Sequence, residues 1–479
     1  MSKLLQKLVF LCFFAGFTSL YGQNVISMEY QGQRNQTLLT SMFGPFIQNG
    51  VKLWRVTYTT PDVFNQLDTA SGLLVVPFRD EVTIYPTLVY QHGTVDGPQD
   101  VPSNLQGGYE LAMVFGGLGY ATLAPDFLGA GTARGFHPYV HAATEASAAV
   151  DMLRAVRAYA PEMDLLLNDQ LFVTGYSQGG HASMALHQVL EQELSEEFNL
   201  TAASHMSGPY SISDVMREVI LSEDPYNFVA YLPNTYLSYN YVYGIYSDIE
   251  QIFKPAYVPD IQAFYEGTIG LSTLNNNLIA ALVTDFGAPI ARNILQDSIL
   301  AILENPDLDH PLHEALRDND TYLWASQRPT RLMYCMADDQ VNFRNSVLAD
   351  SVMNALGAFD LDALNVNPAA DHGGCVSPAV LNTALFFGQF AEWVVDTRSG
   401  IPELAVTIFP NPVQDRLQIM GLKQTSKVLL LNQMGQAVFQ TQAEPQQHEL
   451  RLPALPAGVY WLKIQNTEGL VVKKIILEN

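Results

Sequence analysis

The stretch LFVTGYSQGGHASMAL, residues 171–186, constrains this chain more than any other. Four strand-type residues run into Gly175, Ser177 follows, and after Gly179 and Gly180 the residues become helix formers. A strand that turns into a helix within a few residues needs corner positions that carry no side chain. The spacing Gly175-x-Ser177-x-Gly179 supplies them, because a side chain at 175 or 179 would strike the neighbouring strand or helix. The same turn lifts the serine hydroxyl clear of the sheet. The helix behind it brings first-turn N–H groups and the positive end of its dipole toward that hydroxyl. The expected unit is strand–turn–helix, with chemistry at Ser177.

The chain around this turn alternates. Strand-type runs occur at 51–59, 72–76, 87–90, 120–124, 171–174, 202–206 and 331–336. Helical patterns lie between several of them. In 143–160, Ala146, Ala149, Val150, Leu153 and Val156 share one face. Strand–helix alternation predicts an α/β fold: a mostly parallel sheet with helices on both faces. Residues from about 209 to 329 break the rhythm and are expected to form an inserted, mainly helical cap. Within it, 226–246 holds seven of the chain's 23 tyrosines. These either line a substrate cleft or pack the cap against the core.

Both ends differ from this middle. Lys3 and Lys7 precede an apolar run at 8–17, and Gly22 offers a small residue at its end. Residues 1–22 are therefore expected to be a secretory signal peptide, too short to span a membrane. Cys12 would leave with it. Cys335 and Cys375 remain, and export leaves two states for them, a disulfide or two buried free thiols. Charge changes near residue 400. The whole chain carries a formal −24, yet beyond 400 seven Lys/Arg face six Asp/Glu. That step marks a domain boundary, giving 23–398 and 401–479 as separate units. The second unit has seven short β-type runs broken by Pro410, Gly421, Gly435, Gly458 and Gly469, as expected for a small β-sandwich. An acidic chain without basic clusters is not a nucleic-acid binder.

A serine hydroxyl needs a base, and the base needs an orienting acid. On a strand–turn–helix serine the chain order is Ser, acid, His. Asp338 and Asp339 follow the 331–336 strand, and His372 lies in the turn-rich segment NPAADHGGC, expected to be a loop. Asp338 is preferred as the acid. Asp339 is then a solvated neighbour or the N-cap of a helix over 341–349. Two N–H donors must face the oxyanion. Gln178, next to the nucleophile, is one, and Thr94 in the loop LVYQHGTVDG after the 87–90 strand is the other. The histidines at 137, 141, 181, 187 and 205 are expected to be structural. His310, His313 and Glu314 give only a weak hint of a metal, and no cofactor or metal is assigned.

Two resemblances follow from these motifs. GYATLAPDFLGAGTARGFHPYVH (119–141), GYSQGGHAS and DHGGC resemble the bacterial and fungal secretory lipases of the α/β-hydrolase family, over about 35–395. The sequence departs from that pattern at Cys335-Met336 and at Asn342. Phe409-Pro410-Asn411-Pro412, the run 432–436, the run 455–460 and the ending from Lys473 resemble a type A sorting domain of the type IX secretion system. Together the resemblances imply an exported carboxylic ester hydrolase. Its triad would be Ser177, His372 and Asp338, its substrate a small-molecule or lipid ester, and its partner the outer-membrane secretion machinery. A serine peptidase of the prolyl-oligopeptidase type would share sheet and triad, but nothing here looks like its β-propeller. The third reading is a non-catalytic surface protein on a hydrolase frame.

Overall fold

In the computed structural model, residues 24–79, 83–395, 404–432, 436–445 and 449–478 are described. The expected signal peptide at 1–22 lies outside them, as do 433–435 of the sorting motif.

Three antiparallel strands, β1 (Val25–Arg34), β2 (Gly50–Pro61) and β3 (Leu67–Phe78), begin the sheet, with α1 (Gln36–Phe43) after the first. Alternation follows: β4 (Thr83–Gln91), α2 (Tyr109–Leu118), β5 (Ala121–Pro125), α3 (Ala142–Tyr159), β6 (Leu167–Tyr176), α4 (Gln178–Gln192) and β7 (Leu200–Met206). Between β7 and the next strand come six α-helices: α5 (Arg217–Leu221), α6 (Tyr231–Tyr243), α7 (Val258–Tyr265), α8 (Leu271–Phe286), α9 (Asp297–Leu303) and α10 (Pro311–Arg317). The sheet resumes with β8 (Thr330–Tyr334), α11 (Arg344–Ala355), β9 (Leu361–Asn365), α12 (His372–Phe387) and β10 (Val394–Val395).

The strand order is β1-β2-β3-β5-β4-β6-β7-β8-β9, with β10 paired antiparallel to β4. From β5 to β9 every pair is parallel. All seven strands expected in this part are present. β1, β9 and β10 were not among the strands located in the sequence. β9, LDALN, is a short edge strand with polar Asp362 and Asn365, and β1 is polar along most of its length. Neither has the apolar run that marks a buried strand.

Helices cover both faces because each brings an apolar stripe. On one face Ala146, Ala149, Leu153 and Val156 of α3 pack with Leu186 and Leu190 of α4 against Leu74, Val89 and Val173. On the other, Met113 and Phe115 of α2 and Ala379 and Phe387 of α12 pack against Leu73, Leu88 and Phe172. Leu153 is fully buried, so truncation to Ala is expected to cost about 2–5 kcal/mol. The helices between β7 and β8 enclose a core of their own around Leu274, Leu278, Ile294 and Ile299.

Among the described residues the C-terminal segment has seven strands: β11 (Thr407–Phe409), β12 (Arg416–Met420), β13 (Ser426–Leu431), β14 (Ala437–Ala443), β15 (Glu449–Arg451), β16 (Gly458–Gln465) and β17 (Leu470–Leu477). They form a three-stranded sheet, β11-β12-β15, and a four-stranded one, β14-β13-β16-β17. Alternating residues such as Leu417, Ile419, Val428, Leu430, Leu462 and Ile464 point inward to one core, the arrangement of a small sandwich. Among the described residues no helix is long and apolar enough to cross a membrane.

Candidate active site

Ser177 stands between β6 and α4 with φ 62° and ψ −123°, a conformation few non-glycine residues adopt. Its N–H donates to Met206 O at 2.9 Å, which ties the corner to β7. The flanking glycines are required by contact. A Cβ on Gly175 would sit 2.0 Å from Gly179 O, and one on Gly179 would sit 1.9 Å from Gln91 O. One position meets the helix and the other the neighbouring strand β4.

The residues expected to be the acid and the base follow β8 and β9. Asp338 follows β8, and its Oδ2 accepts from His372 Nδ1 at 2.7 Å. The other oxygen accepts the N–H groups of Gln340 at 3.0 Å and Val341 at 2.9 Å. The carboxylate is nearly fully buried and fully hydrogen-bonded, as a buried anion must be. Its bond to Nδ1 leaves Nε2 as the free ring nitrogen. Asp339 does not touch the ring. Its Oδ1 accepts the main-chain N–H of His372 at 3.1 Å. Nor does Asp339 cap a helix, since α11 begins at Arg344 with Phe343 at its N-cap. His372 is not in a loop but is the first residue of α12, whose N-cap is Asp371.

Two further ties hold the histidine. The Tyr176 hydroxyl donates to His372 O at 2.5 Å, and the two rings lie 5.0 Å apart. Burial pushes the Tyr176 phenol well above its usual range, so it stays a donor. A disulfide joins Cys335 to Cys375. Each half-cystine stands three residues from one member of the Asp338–His372 pair. Among the described residues no hydrogen bond joins the Ser177 hydroxyl to the imidazole.

The Thr94 loop closes the site from β4. A Cβ on Gly93 would meet Tyr176 O at 3.3 Å and Ser177 Cβ at 3.6 Å, so this loop lies directly against the serine. Thr94 Oγ1 is 3.1 Å from the Tyr139 hydroxyl. The main-chain N–H groups of Thr94 and Gln178 make no hydrogen bond to any described residue. For Gln178 that follows from its place at the first turn of α4.

Ser177 and Gln178 open into a narrow apolar cleft of about 60 Å³ beneath α6, walled by Ile212, Met216, Ile220 and Leu232 with Tyr226 and Tyr231. Both tyrosine hydroxyls are satisfied on the acid loop: Tyr226 donates to Gln340 O at 2.9 Å and Tyr231 to Gln340 Oε1 at 2.8 Å. Burial pushes the Tyr231 phenol up to about 12, so it stays protonated. Other tyrosines of this stretch pack instead; Tyr239 is fully buried with its hydroxyl on Val140 O at 3.0 Å. A second cleft, about 530 Å³, lies beyond the Thr94 loop between residues 95–98 and Phe136, Tyr241, Phe264 and Tyr265.

His181, His187 and His205 are fully buried. His310 caps α10 through Nδ1, and His313 Nε2 bonds to Ile302 O. Among the described residues no group of three or more potential ligands is placed to hold a metal.

Solved structures share this architecture. The rice cell wall degrading esterase LipA from Xanthomonas oryzae superposes with a TM-score of 0.66 at 24% identity, covering 75% of this chain and 95% of that one. A protein of Legionella pneumophila classed as a hydrolase gives 0.68 at 23% identity, covering 79% and 100%. Candida antarctica lipase A gives 0.53 at 14%, covering 73% and 77%. The fold is that of an α/β-hydrolase. In this α/β-hydrolase frame Thr94, Ser177, Asp338 and His372 each follow a strand at the carboxyl edge of the sheet, where such sheets place their ligands. Separately, residues 407–478 match the family described as Secretion system C-terminal sorting domain. No curated protein matches the chain in sequence.

Sequence reasoning missed the supports of the site. Tyr176 and Gln340 bear no motif spacing of their own. Of the other supports, Tyr139 lies in the HPY run at 137–139.

Proposed function

We propose that the chain is an exported serine hydrolase that cleaves carboxylic esters. One observation carries this reading: Ser177 stands on a strained turn at an apolar cleft, and its neighbour Tyr176 bonds the main chain of His372, whose ring is held by the buried Asp338 carboxylate. The imidazole Nε2 takes the Ser177 proton as Oγ attacks the ester carbonyl. Asp338 fixes the tautomer that leaves Nε2 as acceptor, and it stabilises the imidazolium that forms. The carbonyl oxygen becomes an oxyanion held by the N–H groups of Thr94 and Gln178. The imidazolium then protonates the departing alcohol oxygen. Water, deprotonated by the same nitrogen, attacks the acyl-enzyme and releases the acid. The Ser177–His372 hydrogen bond closes when substrate is bound, as such contacts commonly do.

The cleft beneath α6 suits an apolar acyl chain, because aliphatic side chains make much of its wall and the hydroxyls of Tyr226 and Tyr231 are already paired. The second cleft gives the alcohol room on the far side of the Thr94 loop. A serine peptidase of the prolyl-oligopeptidase type is the runner-up. Residues 401–479 serve as a type IX secretion signal, 1–22 as the leader for the inner membrane and 23–398 as the catalytic unit. The product is released or held at the cell surface.

The test is a panel of p-nitrophenyl esters beside a chromogenic dipeptide, with Ser177→Ala as control. Ester turnover that falls at least about 1000-fold in the variant is expected. Turnover of the dipeptide alone would favour the peptidase, and turnover of neither would favour a non-catalytic protein.

A further inference from the structure

Glu145 is a buried carboxylate that the mechanism above does not use. It lies in the first turn of α3, is 1% exposed, and has no lysine or arginine among its hydrogen-bond partners. Burying a carboxylate costs several kcal/mol, and an apolar residue here would serve packing as well. Its contacts show what it holds. Oε1 accepts from the Gln178 side-chain Nε2 at 2.9 Å, and Oε2 accepts from His181 Nδ1 at 2.7 Å. Positions 178 and 181 are one turn apart on α4, so a single carboxylate grips the helix at its first turn twice.

The Gln178 amide is fixed further by His137. The His137 Nδ1 lies 2.8 Å from Leu128 O, which can only accept, so Nδ1 carries the proton and Nε2 is an acceptor. Burial lowers the His137 pKa and keeps the ring neutral. Gln178 Nε2 lies 2.8 Å from that acceptor. Both amide hydrogens are thereby used, one on His137 and one on Glu145. The amide cannot flip, and its Oε1 is left buried without a partner. His181 Nε2 completes the set by donating to Asn319 O at 2.9 Å, while Asn319 Oδ1 accepts the Ala142 N–H at 2.8 Å. The first turns of α3 and α4 are thus bound to each other and to the segment after α10.

We propose that Glu145 is a positioning residue for the oxyanion site. By clamping the side chain of Gln178 and the ring of His181, it fixes the main-chain N–H of Gln178 relative to Ser177. This rests on the ester hydrolase reading, in which that N–H stabilises the transition state. A donor displaced by a fraction of an ångström loses its value for an oxyanion that exists only transiently, while substrate binding in the apolar cleft is untouched.

The test compares Glu145→Gln, Glu145→Leu and Gln178→Met in the full chain on p-nitrophenyl butyrate. In the Gln variant Oε1 still accepts from Gln178, and the new NH2 faces His181 Nδ1 in place of the carboxylate oxygen. Its kcat is expected within about threefold of wild type. Glu145→Leu and Gln178→Met are each expected to lower kcat about 10–100-fold with KM within twofold. A boronic acid that mimics the oxyanion should bind more weakly in the same proportion, and a fluorophosphonate should still label Ser177 to completion. The double variant should be no worse than the poorer single one. If Glu145→Leu does not fold, Gln178→Met carries the same expectation alone. Unchanged kcat in a folded Glu145→Leu or in Gln178→Met overturns the proposal, as does a loss confined to KM. Wild-type protein that turns over no ester and leaves Ser177 unlabelled overturns the hydrolase reading first, and this proposal with it.

Discussion

At the scale of single residues the account turns on which carboxylate serves His372. Asp338 bonds the ring, whereas Asp339 bonds only the main-chain N–H. Asp338→Asn is therefore expected to lower kcat by about 10⁴-fold, the loss typical when the imidazole tautomer is no longer fixed. Asp339→Asn should cost no more than about tenfold, because an amide oxygen can still accept that N–H. Steady-state kinetics on one ester check both, and a larger loss at 339 reverses the assignment. The sequence separated these two residues only through the resemblance, in which the residue after the small one of a pair such as Ala337-Asp338 is the acid. It could not show that the second would hold the main chain of the first one's partner. Ser177, Gly175 and Gly179 were legible because sterics at a sharp turn leave few residue choices. Glu145 and Tyr176 were not, because a polar residue on an apolar stripe carries no sign of what it will meet.

Among the elements, β8 with its acid loop and α12 with its histidine form the part most dependent on a covalent tie. The Cys335–Cys375 bridge closes a loop of 40 residues around both. Its removal in a Cys335→Ala, Cys375→Ala double variant is expected to cost about 2–5 kcal/mol of stability, read by denaturant unfolding. The same variant should lose kcat by more than it loses substrate affinity, since the acid and base are freed from each other. Full kcat in that variant would mean that hydrogen bonds alone hold the pair. The cysteines were visible in the sequence, but their pairing depended on β8 and α12 lying side by side. The cleft beneath α6 was foreshadowed only by the tyrosine-rich stretch. Ile220 lines it, so Ile220→Trp is expected to lower the ratio of decanoate to butyrate turnover about tenfold or more. An unchanged ratio would place the acyl chain elsewhere.

For the whole molecule, buried histidines set the response to acid. Burial lowers the pKa of His141 from 6.5 to about 4 and also depresses His137 and His205. The unfolded chain binds these protons below pH 6.5; folded, His141 refuses its proton until about pH 4, and His137 and His205 too bind theirs only at lower pH. Stability is therefore lost as pH falls through that window. The buried carboxylates Asp126 and Asp320 are shifted upward and oppose the loss. Calorimetry should show a shallower slope between pH 4.5 and 6.5 for His141→Gln than for wild type, and an equal slope contradicts the assignment. The α/β architecture was legible from strand–helix alternation and the C-terminal sandwich from its run of short strands. The edge strands β1 and β9 were not, because they are only half buried. The central claim is that folding gathers Ser177, Asp338 and His372 into one acyl-transferring group. Intact-mass spectrometry during turnover of a p-nitrophenyl ester tests it most directly. The account expects one acyl adduct on Ser177, slow to form in Asp338→Asn and absent in Ser177→Ala. An adduct on another residue, or ester turnover undiminished in Ser177→Ala, would contradict it.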